Sequence, residues 1–219
     1  MFDLNVFAVY KPSGLSSYDV IRILKRVYGI KKIGHGGTLD PLASGILIIG
    51  INNGTKSLNQ CLNYDKKYRA RIKFNLLTDS YDITGKVIKT DHKKITLEAI
   101  RNALDNFFLG DIKQRPPIYS AVKINGRKAY EYARQNKEIE IPVKEVSLYG
   151  YEIVNYDEKE QELTIEINVS KGFYVRSFAF DLGKELGSFG TITYLQRTEV
   201  GPYTKKDCIS LYDLPDSLS

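Results

Sequence analysis

Two kinds of hydrophobic periodicity run through the 219 residues of this sequence and predict its elements. Strict alternation is clearest where Tyr68, Ala70, Ile72 and Phe74 are separated by basic residues, as in a strand with one buried face. The continuous apolar run 46–51 is typical of a fully buried strand. Helical spacing predicts three longer helices, with these apolar faces: Val20, Ile21, Leu24, Val27 and Tyr28; Leu97, Ile100, Leu104 and Phe107; Val175, Phe178, Ala179, Leu182 and Leu186.

The remaining pattern is mostly that of strands. A short strand is predicted at 6–10, a hairpin at 145–169 around the charged turn 157–161, and a returning strand at 191–200. Shorter helices are predicted after Gly54 and over 127–135. Because no repeat, low-complexity tract or linker interrupts these elements, we expect one α+β domain on a mostly antiparallel sheet.

Composition and charge narrow the function classes. Lys and Arg total 32 against 26 Asp and Glu, which gives a net charge of +6 and favours a polyanionic partner. The start of the chain lacks the pattern of a signal peptide, and no run approaches the ~20 apolar residues that span a bilayer, so we expect a cytoplasmic protein. Cys61 and Cys208 form no CxxC pair, and only two histidines are present, which argues against a metal site.

The strand around Tyr68 carries a cationic outer face. Arg69, Arg71 and Lys73 alternate with its apolar residues, and Lys66 and Lys67 precede it. Such a face suits a phosphate backbone, because Lys and Arg bind phosphates whatever the base sequence. The alternative, a face that only keeps the protein soluble, remains open.

A glycine-rich loop at 34–45 contains a single carboxylate, Asp40. Glycine frees the backbone to adopt positive φ and lets another chain approach closely, while Pro41 biases Asp40 toward an extended conformation. The loop is either a tight turn whose Asp accepts backbone hydrogen bonds, or a loop that holds one carboxylate in position for a catalytic role. The loop by itself does not decide between these readings.

Three segments in this order resemble the TruB family of pseudouridine synthases: the loop 34–45, the strand start 65–70 and the segment 171–177. The resemblance extends to segments 11–17, 116–123, 126–134 and 194–197, and it covers the chain from about Val6 to Ile209. It implies the pseudouridine synthase fold, an α+β fold with a mixed, mostly antiparallel central sheet flanked by helices. It also implies a single catalytic domain over 1–219.

The resemblance further implies isomerisation of uridine to pseudouridine in the T-loop of tRNA, at the position conventionally numbered 55, without cofactor or metal. Asp40 is the implied nucleophile, attacking either the base or the sugar. Arg176 is implied to pair with this aspartate and to keep it ionised. Tyr68 is implied to stack on the flipped uracil and is a candidate for proton transfer.

The resemblance also assigns residues to substrate binding. His35 matches the histidine near the flipped base, and Tyr174 and Leu195 match pocket walls. The full expected set is His35, Gly36, Tyr174, Leu195, Lys11 and Ser120. The expected partner is the T-arm stem-loop of tRNA, bound by a monomer with no membrane and no protein partner required.

Bacterial members of the family usually continue into a small C-terminal RNA-binding domain, the PUA domain, and we expect that domain to be absent. Two rival functions are considered. One is a tRNA-binding or tRNA-folding protein without chemistry. The other is a glycoside hydrolase that pairs Asp40 with Asp79 or Asp82, for which the sequence offers no convincing second catalytic motif.

Overall fold

The structure is a computed structural model that describes residues 5–120, 122–124, 126–133, 135 and 139–211. Its strands are β1 (Val6–Lys11), β2 (Ile33–Gly36), β3 (Ser44–Ile51), β4 (Lys66–Phe74), β5 (Leu76–Thr78), β6 (Val87–Thr90), β7 (Gly110–Gln114), β8 (Lys123–Ile124), β9 (Arg127–Lys128), β10 (Lys144–Asp157), β11 (Glu162–Val169), β12 (Gly190–Val200) and β13 (Cys208–Ile209). Its α-helices are α1 (Ser17–Tyr28), α2 (Leu58–Leu62), α3 (Leu97–Ala103), α4 (Ala129–Ala133) and α5 (Val175–Glu185). Short 3₁₀ segments span Asn52–Lys56 and Lys205–Asp207, and a π-helical segment spans Leu104–Phe108.

Nine strands form a mixed sheet in the order β13, β1, β3, β12, β4, β11, β10, β7, with β2 also paired to β3. Strand β1 pairs in parallel with β13, and β3 in parallel with β12. The pairs β1–β3, β2–β3, β7–β10 and β10–β11 are antiparallel. The predicted α+β class with a mixed, mostly antiparallel sheet is therefore confirmed.

The chain groups into two compact units. The first contains the described residues up to Arg69 and from Leu195 onward, and the second runs from Ala70 to Tyr194. Within the described residues, no helix is both long enough and apolar enough to cross a membrane.

In the first unit, α1 and β3 supply much of the core. Ser16 caps α1 by accepting a hydrogen bond from the backbone N–H of Asp19, whose carboxylate accepts one from the backbone of Ser16 in return. All of β3 is buried, as its apolar run predicts. Val27 was expected on the buried face of α1 but is 53% exposed in the last helical turn.

In the second unit, the hairpin β10–β11 and α5 form the core. The alternating side chains of β11 are buried, as predicted: Leu163, Ile165, Ile167 and Val169. The expected inward position of Phe107 is wrong, since this side chain is 61% exposed. The backbone N–H of Leu109 bonds the carbonyl of Leu104 five residues back, and this wider turn brings Phe108 to the core instead of Phe107.

The segment from Asp79 to Gly85 is the turn of a hairpin formed by β5 and β6. One other predicted segment differs from the structure. The helix expected over 127–135 is shorter, because β9 precedes α4. Arg134, within that predicted helix, lies outside the described residues.

Candidate active site

The loop that carries Asp40 connects β2 to β3 in the first unit, and Asp40 is partly exposed. The turn that follows β1 holds this loop in place. Gly14 donates its backbone N–H to the carbonyl of Pro41 at 2.8 Å. The Ser13 hydroxyl donates to the carbonyl of Leu42 at 2.8 Å. The residues directly after Asp40 are therefore tied to a neighbouring loop.

The residue before Asp40 is fixed by the first residue of α1. The Ser17 hydroxyl accepts a hydrogen bond from the backbone N–H of Leu39 at 2.8 Å and lies 3.0 Å from the Leu39 carbonyl, to which it donates. The carbonyl of Asp40 itself accepts from the backbone N–H of Ala43 at 3.0 Å. The backbone on both sides of Asp40 thus has defined partners.

Arg197 in β12 donates hydrogen bonds to three backbone carbonyls of the same loop and of the strand that follows it, and we call these contacts the Arg197 clamp. Its Nε donates to the carbonyl of Ile46 at 2.8 Å, and Nη2 donates to the carbonyl of Gly37 at 3.1 Å. Nη1 donates to the carbonyl of Thr38 at 3.5 Å. Arg197 is only 2% exposed, so its charge is satisfied largely by these backbone dipoles. Sequence analysis did not single it out, although a charged residue at a buried position of a strand was an available signal.

The glycines of the loop have packing roles inside the protein. A β-carbon on Gly45 would lie 2.2 Å from the carbonyl oxygen of Arg197, and Gly45 has a φ of 114°. A β-carbon on Gly34 or Gly36 would lie 3.2 or 3.4 Å from the side chain of Leu58 in α2. The close approach that these glycines allow is therefore to the protein's own chain.

Lys11 at the end of β1 is fully buried. Its ammonium donates to the carbonyl of Pro12 at 2.9 Å and to that of Leu15 at 2.6 Å. Burial lowers the pKa of Lys11 to about 8, the negative charge of Asp40 opposes this decrease, and the positive charge of Arg197 adds to it. Lys11 and Asp40 are thus electrostatic neighbours.

The other expected site residues of this unit occupy its strands. Tyr68 in β4 is 8% exposed, and Leu195 in β12 is 6% exposed. His35 and Gly36 lie in β2, which pairs with β3, and His35 is partly exposed. These residues therefore lie on ordered elements of the sheet.

Arg176, near the start of α5, is the centre of a buried cluster in the second unit. Its Nη1 donates to the carbonyl of Ser80 at 2.9 Å, and Nη2 donates to the carbonyl of Tyr119 at 2.8 Å. Nε lies 3.7 Å from Oδ2 of Asp82. Arg176 as a whole is only 5% exposed. These contacts fix its orientation.

Asp82 is held as firmly as the arginine. Its Oδ1 accepts hydrogen bonds from the backbone N–H of Thr84 at 2.9 Å and from the Thr84 hydroxyl at 2.5 Å. Its carbonyl accepts from the Thr78 hydroxyl at 2.7 Å. From the sequence, Asp82 was expected only as a possible second carboxylate of a hydrolase, and its pairing with Arg176 was not predicted.

Tyr174 and Ser120 complete the expected residues of the second unit. The backbone of Tyr174 makes two hydrogen bonds with the side-chain amide of Gln114. The N–H of Tyr174 donates to Oε1 at 2.9 Å, and Nε2 donates to the carbonyl of Tyr174 at 3.3 Å. Ser120 is 5% exposed, and its hydroxyl has no hydrogen-bond partner within the described residues. Among all the residues that the structure describes, no three His, Cys, Asp or Glu side chains are grouped so that they would hold a metal ion.

Comparison with known families gives two matches that divide the chain. Residues 25–175 match the model of the TruB family pseudouridylate synthase N-terminal domain. Residues 176–219 match the model of the tRNA pseudouridylate synthase B C-terminal domain. Together, these matches cover most of the chain.

Two relatives are similar over nearly the full chain. A Malacoplasma penetrans protein named tRNA pseudouridine synthase B is 43% identical over 210 residues, which are 96% of this chain and 90% of that protein. A Clostridium tetani protein of the same name is 41% identical over 211 residues, which are 96% of this chain and 72% of that protein.

Solved structures share the fold. The chain in "Crystal Structure of a Cbf5-Nop10-Gar1 Complex" superposes with a TM-score of 0.74 at 26% identity, over 96% of this chain and 54% of that one. The chain in "Structure of H/ACA RNP bound to a substrate RNA containing 2'-deoxyuridine" gives a TM-score of 0.70 at 23% identity, over 95% of this chain and 51% of that one. The present chain thus spans about half the length of each.

Proposed function

Because this chain belongs to the TruB family of pseudouridylate synthases, we propose that it isomerises the T-loop uridine of tRNA, at the position conventionally numbered 55, with Asp40 as nucleophile. The chain is a pseudouridine synthase and hence an isomerase. Relatives named as synthases favour this activity over an RNA-folding protein without chemistry. The observation that carries the proposal is the fixed backbone around Asp40.

The reaction explains why one positioned carboxylate is needed. The bond from the sugar to N1 of uracil breaks, the uracil turns while it stays bound, and a bond from the sugar to C5 forms. The proton lost from C5 is balanced by the proton gained at N1, so the product is an isomer. A carboxylate that attacks a carbon of the base or the sugar splits this change into easier steps. Such attack requires a defined approach.

The loop geometry supports this role for Asp40. Backbone bonds to Gly14 and Ser17, together with the Arg197 clamp, restrict the loop before substrate arrives. A restricted nucleophile loses little conformational freedom on reaching the transition state, which is the advantage of preorganisation. Asp40 also interacts electrostatically with the ammonium of Lys11.

Two further catalytic roles belong to the proposal. Tyr68 stacks on the flipped uracil and offsets part of the stacking lost on extrusion, about 1 to 3 kcal/mol per base. Arg176 directs and stabilises the aspartate charge. Its buried contacts with Ser80 and Asp82 support a fixed guanidinium. His35, Gly36, Tyr174, Leu195, Lys11 and Ser120 are proposed to shape the substrate site.

The proposed partner is the T-arm of tRNA, bound by a monomer without a protein partner. The net charge of +6 supports an RNA substrate, because cationic side chains displace the counterions of phosphates. We also propose that the protein acts in the cytoplasm, where tRNA is available.

The test is incubation with full-length tRNA and with a T-arm minihelix, followed by carbodiimide mapping of pseudouridine and assay of free uracil. We expect one modified T-loop position in both RNAs and no free uracil. Modification elsewhere would overturn the assigned site. Release of uracil would indicate a glycoside hydrolase, and binding without conversion would indicate an RNA-folding protein.

A further inference from the structure

Tyr81 has an unusual backbone conformation at the centre of the Arg176 cluster. Its φ is 61°, in the left-handed region that few residues other than glycine adopt. A bulky aromatic residue in this region is strained, and such strain persists only where surrounding contacts outweigh it. The residues on either side of Tyr81 are both partners of Arg176: Ser80 through its carbonyl and Asp82 through its carboxylate.

The ring of Tyr81 packs on the same helix that carries the arginine. It stacks on Phe180 with ring centroids 4.3 Å apart and an interplanar angle of 14°. Phe180 follows Arg176 by four positions in α5, so the two side chains lie on one face of the helix. The turn therefore contacts two side chains that are one helical turn apart in α5. Ser80 and Asp82 contact Arg176, and Tyr81 packs on Phe180.

The backbone of the turn is anchored on β12 as well. The carbonyl of Tyr81 accepts a hydrogen bond from the N–H of Ile192 at 3.0 Å, and the N–H of Ile83 donates to the carbonyl of Ile192 at 2.8 Å. These bonds tie the backbone of the turn to β12. The stacked ring is the contact that faces α5 from the centre of the turn.

We propose that Tyr81 is a positioning residue, whose left-handed backbone and stacked ring hold Ser80 and Asp82 against the guanidinium of Arg176. The inference rests on the proposed function, in which Arg176 belongs to the catalytic machinery. Tyr81 itself does not touch the reacting atoms. The stacked ring of Tyr81 fixes the position of Ser80 and Asp82, and these two residues orient the guanidinium of Arg176. The oriented guanidinium then acts in catalysis.

Three variants separate the ring from the backbone. Tyr81→Phe keeps the ring and removes the hydroxyl. Tyr81→Gly removes the ring while its backbone adopts the same φ without strain. Phe180→Ala removes the stacking partner from the other side. We expect Tyr81→Gly and Phe180→Ala to lower the single-turnover rate of pseudouridine formation by about 10- to 100-fold, as small misplacements of catalytic groups do.

The affinity for tRNA is expected to stay within twofold in all three variants, and Tyr81→Phe is expected to retain the wild-type rate. An unchanged rate in Tyr81→Gly, or a loss in Tyr81→Phe equal to that in Tyr81→Gly, would overturn the role of the ring. Thermal unfolding checks that each variant is folded at the assay temperature.

Introducing Tyr81→Gly into a variant that already lacks the Arg176 guanidinium shows whether Tyr81 acts by positioning that group or only by stabilising the fold. In Arg176→Lys, which has no guanidinium to orient, Tyr81→Gly is expected to cause no further loss of rate. Additive losses in the double variant would overturn the proposal, because they would show that Tyr81 acts independently of Arg176.

The orientation of the Arg176 guanidinium can also be measured without catalysis, so the role of Tyr81 is tested independently of the proposed function. Nitrogen-15 NMR of the arginine guanidinium groups reports rotation about the Cζ–Nη bonds, and the Arg176 signal is assigned by its absence in Arg176→Lys. Slow rotation in the wild type and in Tyr81→Phe, with faster rotation in Tyr81→Gly, supports positioning. Equal rotation in all three overturns it, whether or not the wild type converts uridine in tRNA.

Discussion

Oδ2 of Asp82 lies 3.7 Å from Nε of Arg176, and both side chains are almost fully buried. The other carboxylate oxygen of Asp82 accepts two hydrogen bonds from Thr84. Both carboxylate oxygens of Asp82 thus have protein partners in a buried cluster, whereas the general acid of a glycoside hydrolase must reach its substrate. Asp82 therefore fits an electrostatic role beside the arginine better than the hydrolytic role considered from the sequence.

Replacing Asp40 with asparagine tests the proposed nucleophile. The amide keeps the size of the side chain but has no nucleophilic carboxylate, so we expect the single-turnover rate to fall by about 10⁴-fold or more. The affinity for tRNA, measured by filter binding, should change little. Asp65→Asn is a matched control, since Asp65 is exposed and should leave the rate unchanged. A wild-type rate in Asp40→Asn would exclude Asp40 as nucleophile.

Replacing Arg197 with methionine tests the Arg197 clamp on the loop that carries Asp40. Three backbone carbonyls lose their charged donor, and we expect the free energy of unfolding to fall by about 3 kcal/mol. The turnover rate should fall more than the affinity for tRNA, because the loop is then less well positioned. Urea unfolding and single-turnover assays measure the two effects.

Arg26→Met is the control for the loss of an exposed arginine, since Arg26 lies on the exposed face of α1. Its stability should stay within about 0.5 kcal/mol of the wild type. If Arg197→Met is equally mild, then the loop does not depend on the clamp.

Lys11 predicts a pH dependence of stability. Its pKa in the folded protein is about 8, below the ordinary value of 10.5, so between these values the unfolded chain binds a proton that the folded chain does not. The contribution of Lys11 to the free energy of unfolding therefore rises with pH across this window, by at most about 1.4 kcal/mol per pH unit. A neutral amine still donates to the carbonyls of Pro12 and Leu15.

The measurement is urea unfolding of the wild type and of Lys11→Met at about pH 7.5 and about pH 9.5. The stability of the wild type relative to Lys11→Met should increase at the higher pH. A difference between the two proteins that is constant with pH would show that Lys11 does not change its protonation state on unfolding in this range.

Binding of tRNA should weaken with salt, and the cations of β4 should not contribute equally. Arg71 is exposed and lies 5.4 Å from the ring of Tyr194, whereas Nζ of Lys73 is 3.3 Å from the carboxylate of Glu160. We expect Arg71→Gln to reduce the slope of log affinity against log salt by about 0.7 to 0.9. Lys73→Gln should reduce it less, because Glu160 already offsets its charge. A slope of zero in the wild type would contradict binding through phosphates.

Much of the fold follows from local pattern in the sequence. The apolar run of β3 and the alternation of β4 each depend on residues close together in the chain, and each was predicted. The π-helical segment at Leu104–Phe108 could not be predicted in the same way, since regular helical spacing places Phe107 inward.

The long-range partners could not be read from one sequence. Nothing near Arg197 indicates that it bonds Gly37, and nothing near Asp82 indicates that it faces Arg176. The interpretation of the glycines shows the same limit. Their freedom was recognised, but the atoms that approach Gly45 belong to Arg197.

The Arg197 clamp on the loop that carries Asp40 also has a consequence during synthesis. Arg197 follows Gly37 by 160 positions, so the ribosome adds a long stretch of chain after the loop before the donor exists. Closing so long a loop is entropically costly and is expected late in folding. The nascent chain thus carries Asp40 without the arginine that holds its loop until Arg197 has been added, and the loop gains these hydrogen bonds only after that point.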